Sequence, residues 1–325
     1  MVTISTKVLL KLYLVIPLCF MIVAADSLFF SGYLKATLRA DPESYRWITV
    51  FLFYPHVLMS LGTFLDKEYL TKYKKNFLSP TLIPYLGTIL IGLFLNQEIF
   101  FILFSYLSSK HLMGQQMGLE KLLAGDKEKL IRSNLSRHLY ILISTIIYYR
   151  IAFPQSIFWI ALKNLGWGQG VYFSISILIY IILFFDAKEN FLKSKNPRLK
   201  ILFWGNCFLI SSAIYFLQSG YIFFAFFVPR FIHDITAIFF YICHDKNRNS
   251  NSSHNFVNQF VEKIFKKPPS YILPLIYFCL ANILIQFDLK FVEVSLFCLG
   301  VFHFYVEGFM WKTGSLHRKY VAFNG

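Results

Sequence analysis

Apolar residues in this chain come in long unbroken runs of roughly 15 to 24 residues, the length that crosses a bilayer core about 30 Å thick at 1.5 Å per helical residue. Short polar or basic segments separate them. The runs fall at 8–30, 46–65, 82–95, 99–118, 139–162 (interrupted near Pro154), 171–185, 201–217, 221–243, 271–287 and 291–311. The sequence therefore predicts an all-α, polytopic transmembrane helical bundle of about ten spans, forming a single integral-membrane domain over residues 1–325. Apolar residues make up 56% of the chain and mean hydropathy is +0.54, values that exclude an ordinary soluble globular domain. Val23-Ala24-Ala25 before Asp26 resembles a signal-peptidase site, but the apolar run continues through Leu28-Phe29-Phe30, so the first span is expected to stay uncleaved.

Net charge is +15. Lys and Arg are concentrated after the second, fourth, sixth and eighth runs and in the tail, which sets topology rather than a nucleic-acid partner. By the positive-inside rule both ends of the chain are cytoplasmic, in a multi-pass inner-membrane arrangement. The polar segment 119–137 reads as a short amphipathic surface helix. Residues 246–254, rich in Asn and Ser, read as a hydrophilic loop. The five cysteines stand singly in apolar runs, and neither a disulfide framework nor a thiolate site is indicated.

Function is carried by the histidines. Within 231–245 the pair His233-Asp234 recurs as His244-Asp245, eleven residues or about three turns later. Ionisable groups inside a span are costly and usually functional. His56, His111, His233 and His303 each fall roughly 18 to 21 Å from the outer end of an even-numbered span, so four imidazoles share one depth in the cytoplasmic third of the membrane. Glu307 follows His303 by four residues and Gln115 follows His111 by four, each on the same helix face. Asp234 points away from His233 and is placed to reach a neighbouring ligand. His244 marks the cytoplasmic end of its span.

Imidazole and carboxylate without thiolate suit iron, zinc, copper or manganese. The expected ligands are His56, His111, His233, His303, Glu307 and His244, around one or two transition-metal ions with iron the first choice. Asp234 and Glu307 are the candidate catalytic groups. Tyr54-Pro55-His56 and His233-Asp234, set among histidine-scattered spans, resemble the polyhistidine integral-membrane non-haem iron oxygenases, most nearly the bacteriorhodopsin-related carotene dioxygenases. The clustered HxxHH boxes of membrane desaturases are absent. That resemblance implies iron and a lipid substrate; the expected partners are a lipid or isoprenoid substrate and an electron donor. The expected activity is thus a metal-dependent membrane oxidoreductase or oxygenase. The alternatives are a transporter using the same His/Asp/Glu cluster as an ion or proton relay, and a haem-binding membrane protein.

Overall fold

The computed structural model describes residues 1–38, 46–94, 97–124, 134–152, 156–250, 252–265, 272–286, 290–312 and 314–324. In chain order the elements are β1 (Thr3–Ser5), α1 (Thr6–Leu12), α2 (Val15–Phe29), α3 (Tyr33–Thr37), α4 (Arg46–Ile48), a π-helical turn (Thr49–Phe53), α5 (Tyr54–Gly62), α6 (Lys67–Phe77) and α7 (Ile83–Phe94). There follow α8 (Gln97–Ala124), α9 (Asn134–Ala152), α10 (Ile157–Asn164), α11 (Gly168–Lys193), α12 (Pro197–Ser219), α13 (Ile222–Arg248), α14 (Phe256–Phe265), α15 (Leu273–Gln286), α16 (Lys290–Met310), α17 (Leu316–Lys319) and β2 (Ala322–Asn324). Each of the ten apolar runs carries a helix, and the class is all-α apart from two three-residue strands.

Among the described residues, three helices are long and apolar enough to cross a membrane: Thr6–Phe29, Pro197–Ser219 and Ile222–Arg248. Lys67–Phe77 with Pro80–Phe94, bent by 83°, would make a fourth. Thr49–Gly62, Phe173–Asp186, Pro274–Leu284 and Val294–Met310 are apolar but shorter. These support a membrane protein without reaching the ten full-length spans expected from the runs. The expected surface helix at 119–137 is not separate at its start, because α8 continues to Ala124; residues 125–133 lie outside the described set, as does Pro154. The eighth run also overshoots its expected end: α13 goes on past His244 to Arg248, and Asn247, Arg248 and Asn249 are buried rather than looped into solvent.

The chain divides into two compact units. Unit 1 comprises Met1–Thr6, Arg46–Phe100 and Asp234–Gly325. Within it α5 packs against α15 and α16. Pro55 stands at the start of α5 and has no N–H to bond back to Phe51, and its ring crowds that carbonyl. The preceding Thr49–Phe53 turn is widened to the π form, which accommodates the misfit just ahead of His56. Strands β1 and β2 pair in parallel, Thr3 opposite Ala322. Asn247 clips both segments, donating to the carbonyls of Val2 and Tyr320 (2.8 Å each) and accepting from the Val2 N–H (2.6 Å).

Close approach inside unit 1 depends on glycine at several helix contacts. A Cβ on Gly62 would collide with the phenol of Tyr277, and one on Gly92 would meet the Phe100 ring at 2.5 Å, whereas Gly87 faces open space. Gly62→Ala is therefore expected to cost about 1–3 kcal/mol by overpacking. Gly87→Ala should instead gain about 0.5–1 kcal/mol by removing helix-interior glycine. Thermal unfolding of the two variants in one detergent checks the opposite signs.

Unit 2 comprises Lys7–Tyr45 and Phe101–His233. Here α12 packs on α2, α9 and α11. Only 28% of the most apolar window of Thr6–Phe29 is buried, and Leu14, Leu18, Met21, Leu28 and Phe29 are exposed, as a lipid-facing helix requires. A buried polar chain crosses the interior. The Tyr13 hydroxyl lies between Gln116 Oε1 (2.8 Å) and Asn206 Oδ1, and Asn206 Nδ2 donates to Glu120 Oε1 at 2.7 Å. Asp26 is fully buried, accepting from the Tyr221 hydroxyl and the Leu34 N–H at 2.8 Å each, and so starts α3. Trp159 is buried beneath the Arg150 guanidinium at 5.5 Å.

Candidate metal centre

The second part of α13 begins at Asp234, and α5 and α16 bring their polar residues to it inside unit 1. His56 on α5 is fully buried with both ring nitrogens against carboxylates: Nδ1 to Asp234 Oδ1 at 2.9 Å and Nε2 to Glu307 Oε1 at 3.1 Å. His303, one turn before Glu307 on α16, stands with Nδ1 3.8 Å from Glu307 Oε1 and meets the His56 ring edge to face at 4.5 Å. His56, His303 and Glu307 each present one ligand atom within 4.8 Å of the others.

Each of these side chains is held from behind. Ser60, one turn after His56, bonds Nδ1 of His303 at 2.5 Å and turns its hydroxyl toward the Val57 carbonyl at 2.8 Å. The Tyr241 hydroxyl, two turns beyond Asp234, donates to Glu307 Oε1. With Asp234 accepting from Nδ1, a neutral His56 would carry its lone pair on Nε2, the carboxylate–histidine arrangement that raises ligand basicity. A ring proton on both nitrogens would instead make His56 an imidazolium clamped by two carboxylates.

Of the remaining expected ligands, His111 and His233 belong to unit 2 and His244 to unit 1. In unit 2, His111 and His233 meet edge to face at 4.9 Å. His244 belongs to a second cluster in unit 1. Its Nε2 is 2.8 Å from the Tyr69 hydroxyl, and its ring stacks on His317 at 4.8 Å. His317 is fully buried, with Nδ1 3.2 Å from the Tyr73 hydroxyl and Nε2 3.0 Å from Thr63 Oγ1. Burial, reinforced by the nearby Arg248 cation, holds His317 far below the usual histidine range, so it is neutral. Asp245 is taken up by Asn249 and Asn258. The repeated His-Asp pair thus serves two different surroundings.

Comparison with protein-family models, curated proteins and solved structures found no match. The site therefore has to be read from its own chemistry.

Four contributors were not picked out from the sequence. Ser60 and Tyr241 follow His56 and Asp234 at helical spacings of four and seven, a signal present but unused. Arg248 and Asp66 carry none. The Arg248 guanidinium bonds Asp66 Oδ2 through Nε and Nη2, both at 3.0 Å, reaches Glu68 at 2.5 Å and the Tyr320 hydroxyl at 2.9 Å, and lies over the Tyr69 ring at 5.0 Å. Nothing in a run of Lys, Asn, Arg and Ser separates such an anchor from a solvated loop.

Proposed function

We propose that His56, His303 and Glu307 hold a transition metal, iron first among the candidates, and that the protein is a multi-pass inner-membrane oxidoreductase acting on a lipid or isoprenoid chain, with both chain ends cytoplasmic. The observation that carries the reading is the buried His56 set between Asp234 and Glu307 with His303 beside it. The donor set fits: nitrogen and oxygen without sulfur, with His56 Nε2 3.1 Å from Glu307 Oε1 and one ligand atom of each of the three residues within 4.8 Å of the others. Ligands on bonds of about 2.0–2.2 Å stand about 3–4 Å apart. Iron bound there would supply redox chemistry with dioxygen.

The chain's own part is positional. Asp234 holds the Nδ1 proton of His56, Ser60 fixes the His303 ring, and Tyr241 orients Glu307. Burial of all three proposed ligands excludes water, so charge at the centre is felt strongly. The apolar exposed faces of the helices bring greasy substrates and dioxygen to the same phase. A second reading, a proton relay in a transporter, draws on the same His56 between two carboxylates.

Elemental analysis of protein purified in mild detergent tests the proposal. One or two equivalents of transition metal are expected in the wild type and background in a His56→Ala, His303→Ala double variant of unchanged helicity. Background metal in the wild type after anaerobic iron loading would overturn it.

A further inference from the structure

Tyr69 and His244 form a pair that the metal centre does not use. Tyr69 is 1% exposed and His244 2%, and the phenol oxygen is 2.8 Å from Nε2, within the range for direct proton transfer. The neighbouring His317 also stacks on Tyr69, at 4.0 Å between ring centres, but its nitrogens are engaged by Tyr73 and Thr63. His244 is therefore the base set against this phenol. The Arg248 guanidinium 5.0 Å over the Tyr69 ring opposes a positive charge on that ring and on His244 alike, so the electron and the phenolic proton leave Tyr69 together, without a radical cation standing beside Arg248.

We propose that Tyr69 is a redox-active tyrosine with His244 as its proton acceptor. In the step, a one-electron oxidant takes an electron from Tyr69, the O–H proton moves to His244 Nε2, and the products are a neutral tyrosyl radical, an imidazolium and the reduced oxidant. Return of one electron and the proton restores the pair. Rings in near contact lead from it toward Glu307: His244 to Trp311 at 6.4 Å, Trp311 to Tyr241 at 5.4 Å, and Tyr241 hydrogen-bonded to Glu307. Use of that line by a metal rests on the function proposed above; the pair itself does not.

The test uses the full-length, metal-free protein in nanodiscs, so it is independent of metal binding. Flash-generated tris(bipyridine)ruthenium(III) is the oxidant and electron paramagnetic resonance the readout. Exposed tyrosyl radicals decay rapidly by dimerisation, and a buried one persists. A persistent tyrosyl signal is expected in the wild type and is lost in Tyr69→Phe. His244→Gln keeps a hydrogen-bond acceptor but cannot take the proton, so the signal should form at least about 100-fold more slowly. If Tyr69→Phe fails to fold, 3,5-difluorotyrosine placed at position 69 keeps the ring and must change the hyperfine pattern. A persistent signal that survives Tyr69→Phe, an unchanged pattern with the fluorinated ring, or wild-type kinetics in His244→Gln would each overturn the proposal.

Discussion

Arg248→Met destabilises unit 1 by about 3–5 kcal/mol, because it leaves the buried Asp66 carboxylate without the cation it was folded against. The size follows from burial: in this ion pair the side chains are 6% and 3% exposed, and the contact is two-pronged. Glu68, whose side chain is 54% exposed, adds little by comparison, and Glu68→Gln should change stability by less than about 1 kcal/mol. The double variant Arg248→Met, Asp66→Leu removes both charges and is expected to recover a large part of the loss, since a buried pair replaced by apolar groups is often close to neutral. Equilibrium unfolding monitored by tryptophan fluorescence measures all three. A double variant no more stable than Arg248→Met would mean that Asp66 is not the source of the penalty. Asp66 also accepts from the Glu68 N–H and starts α6, so some loss remains in any variant that removes it.

The second large effect is on the centre itself. Asp234→Asn leaves His56 its hydrogen bond but takes away the charge behind it, and metal affinity should fall about 10- to 100-fold. In the proposed metal centre Glu307→Gln removes the charge of a ligand, and metal content should drop further, together with the proposed activity on a membrane lipid. In the relay reading the same substitution spares any bound metal and abolishes pH-driven uptake into proteoliposomes, because only the titrating carboxylate has gone. Unchanged metal content with lost uptake in Glu307→Gln would decide for transport.

The apolar runs revealed the helices because an apolar surrounding leaves the backbone no other partner, but among the described residues only three carry a helix long and apolar enough to cross a membrane. At 46–65 the widened turn before Pro55 breaks one run into an α, a π and an α piece, which hydropathy does not register. At α13 the residues Lys246 to Asn249 read as loop because hydropathy counts them as hydrated, whereas Arg248 and Asn247 fold inward to clasp Asp66 and the β1–β2 pair. The site was partly legible for the same physical reason. His303 and Glu307 share a helix, so spacing alone places them together. His56 with Asp234, and Arg248 with Asp66, come together from far apart in the chain, and no periodicity within one helix encodes a partner on another.

The pairing of β1 with β2 sets an order of events during biosynthesis. Thr3–Ser5 leave the ribosome before the rest of unit 1 and all of unit 2, but the strand they join, Ala322–Asn324, is made only after unit 2 and most of unit 1 have been translated. Unit 2 is contained within residues 7–233 and is free to assemble while translation continues. The opening strand and the α5 segment must wait, exposed to chaperones and proteases, until α16 and β2 arrive. Loop closure over such a separation is slow, so unit 1 is the late step in maturation, and a nascent chain stalled short of α16 would hold a finished unit 2 beside an unclosed unit 1.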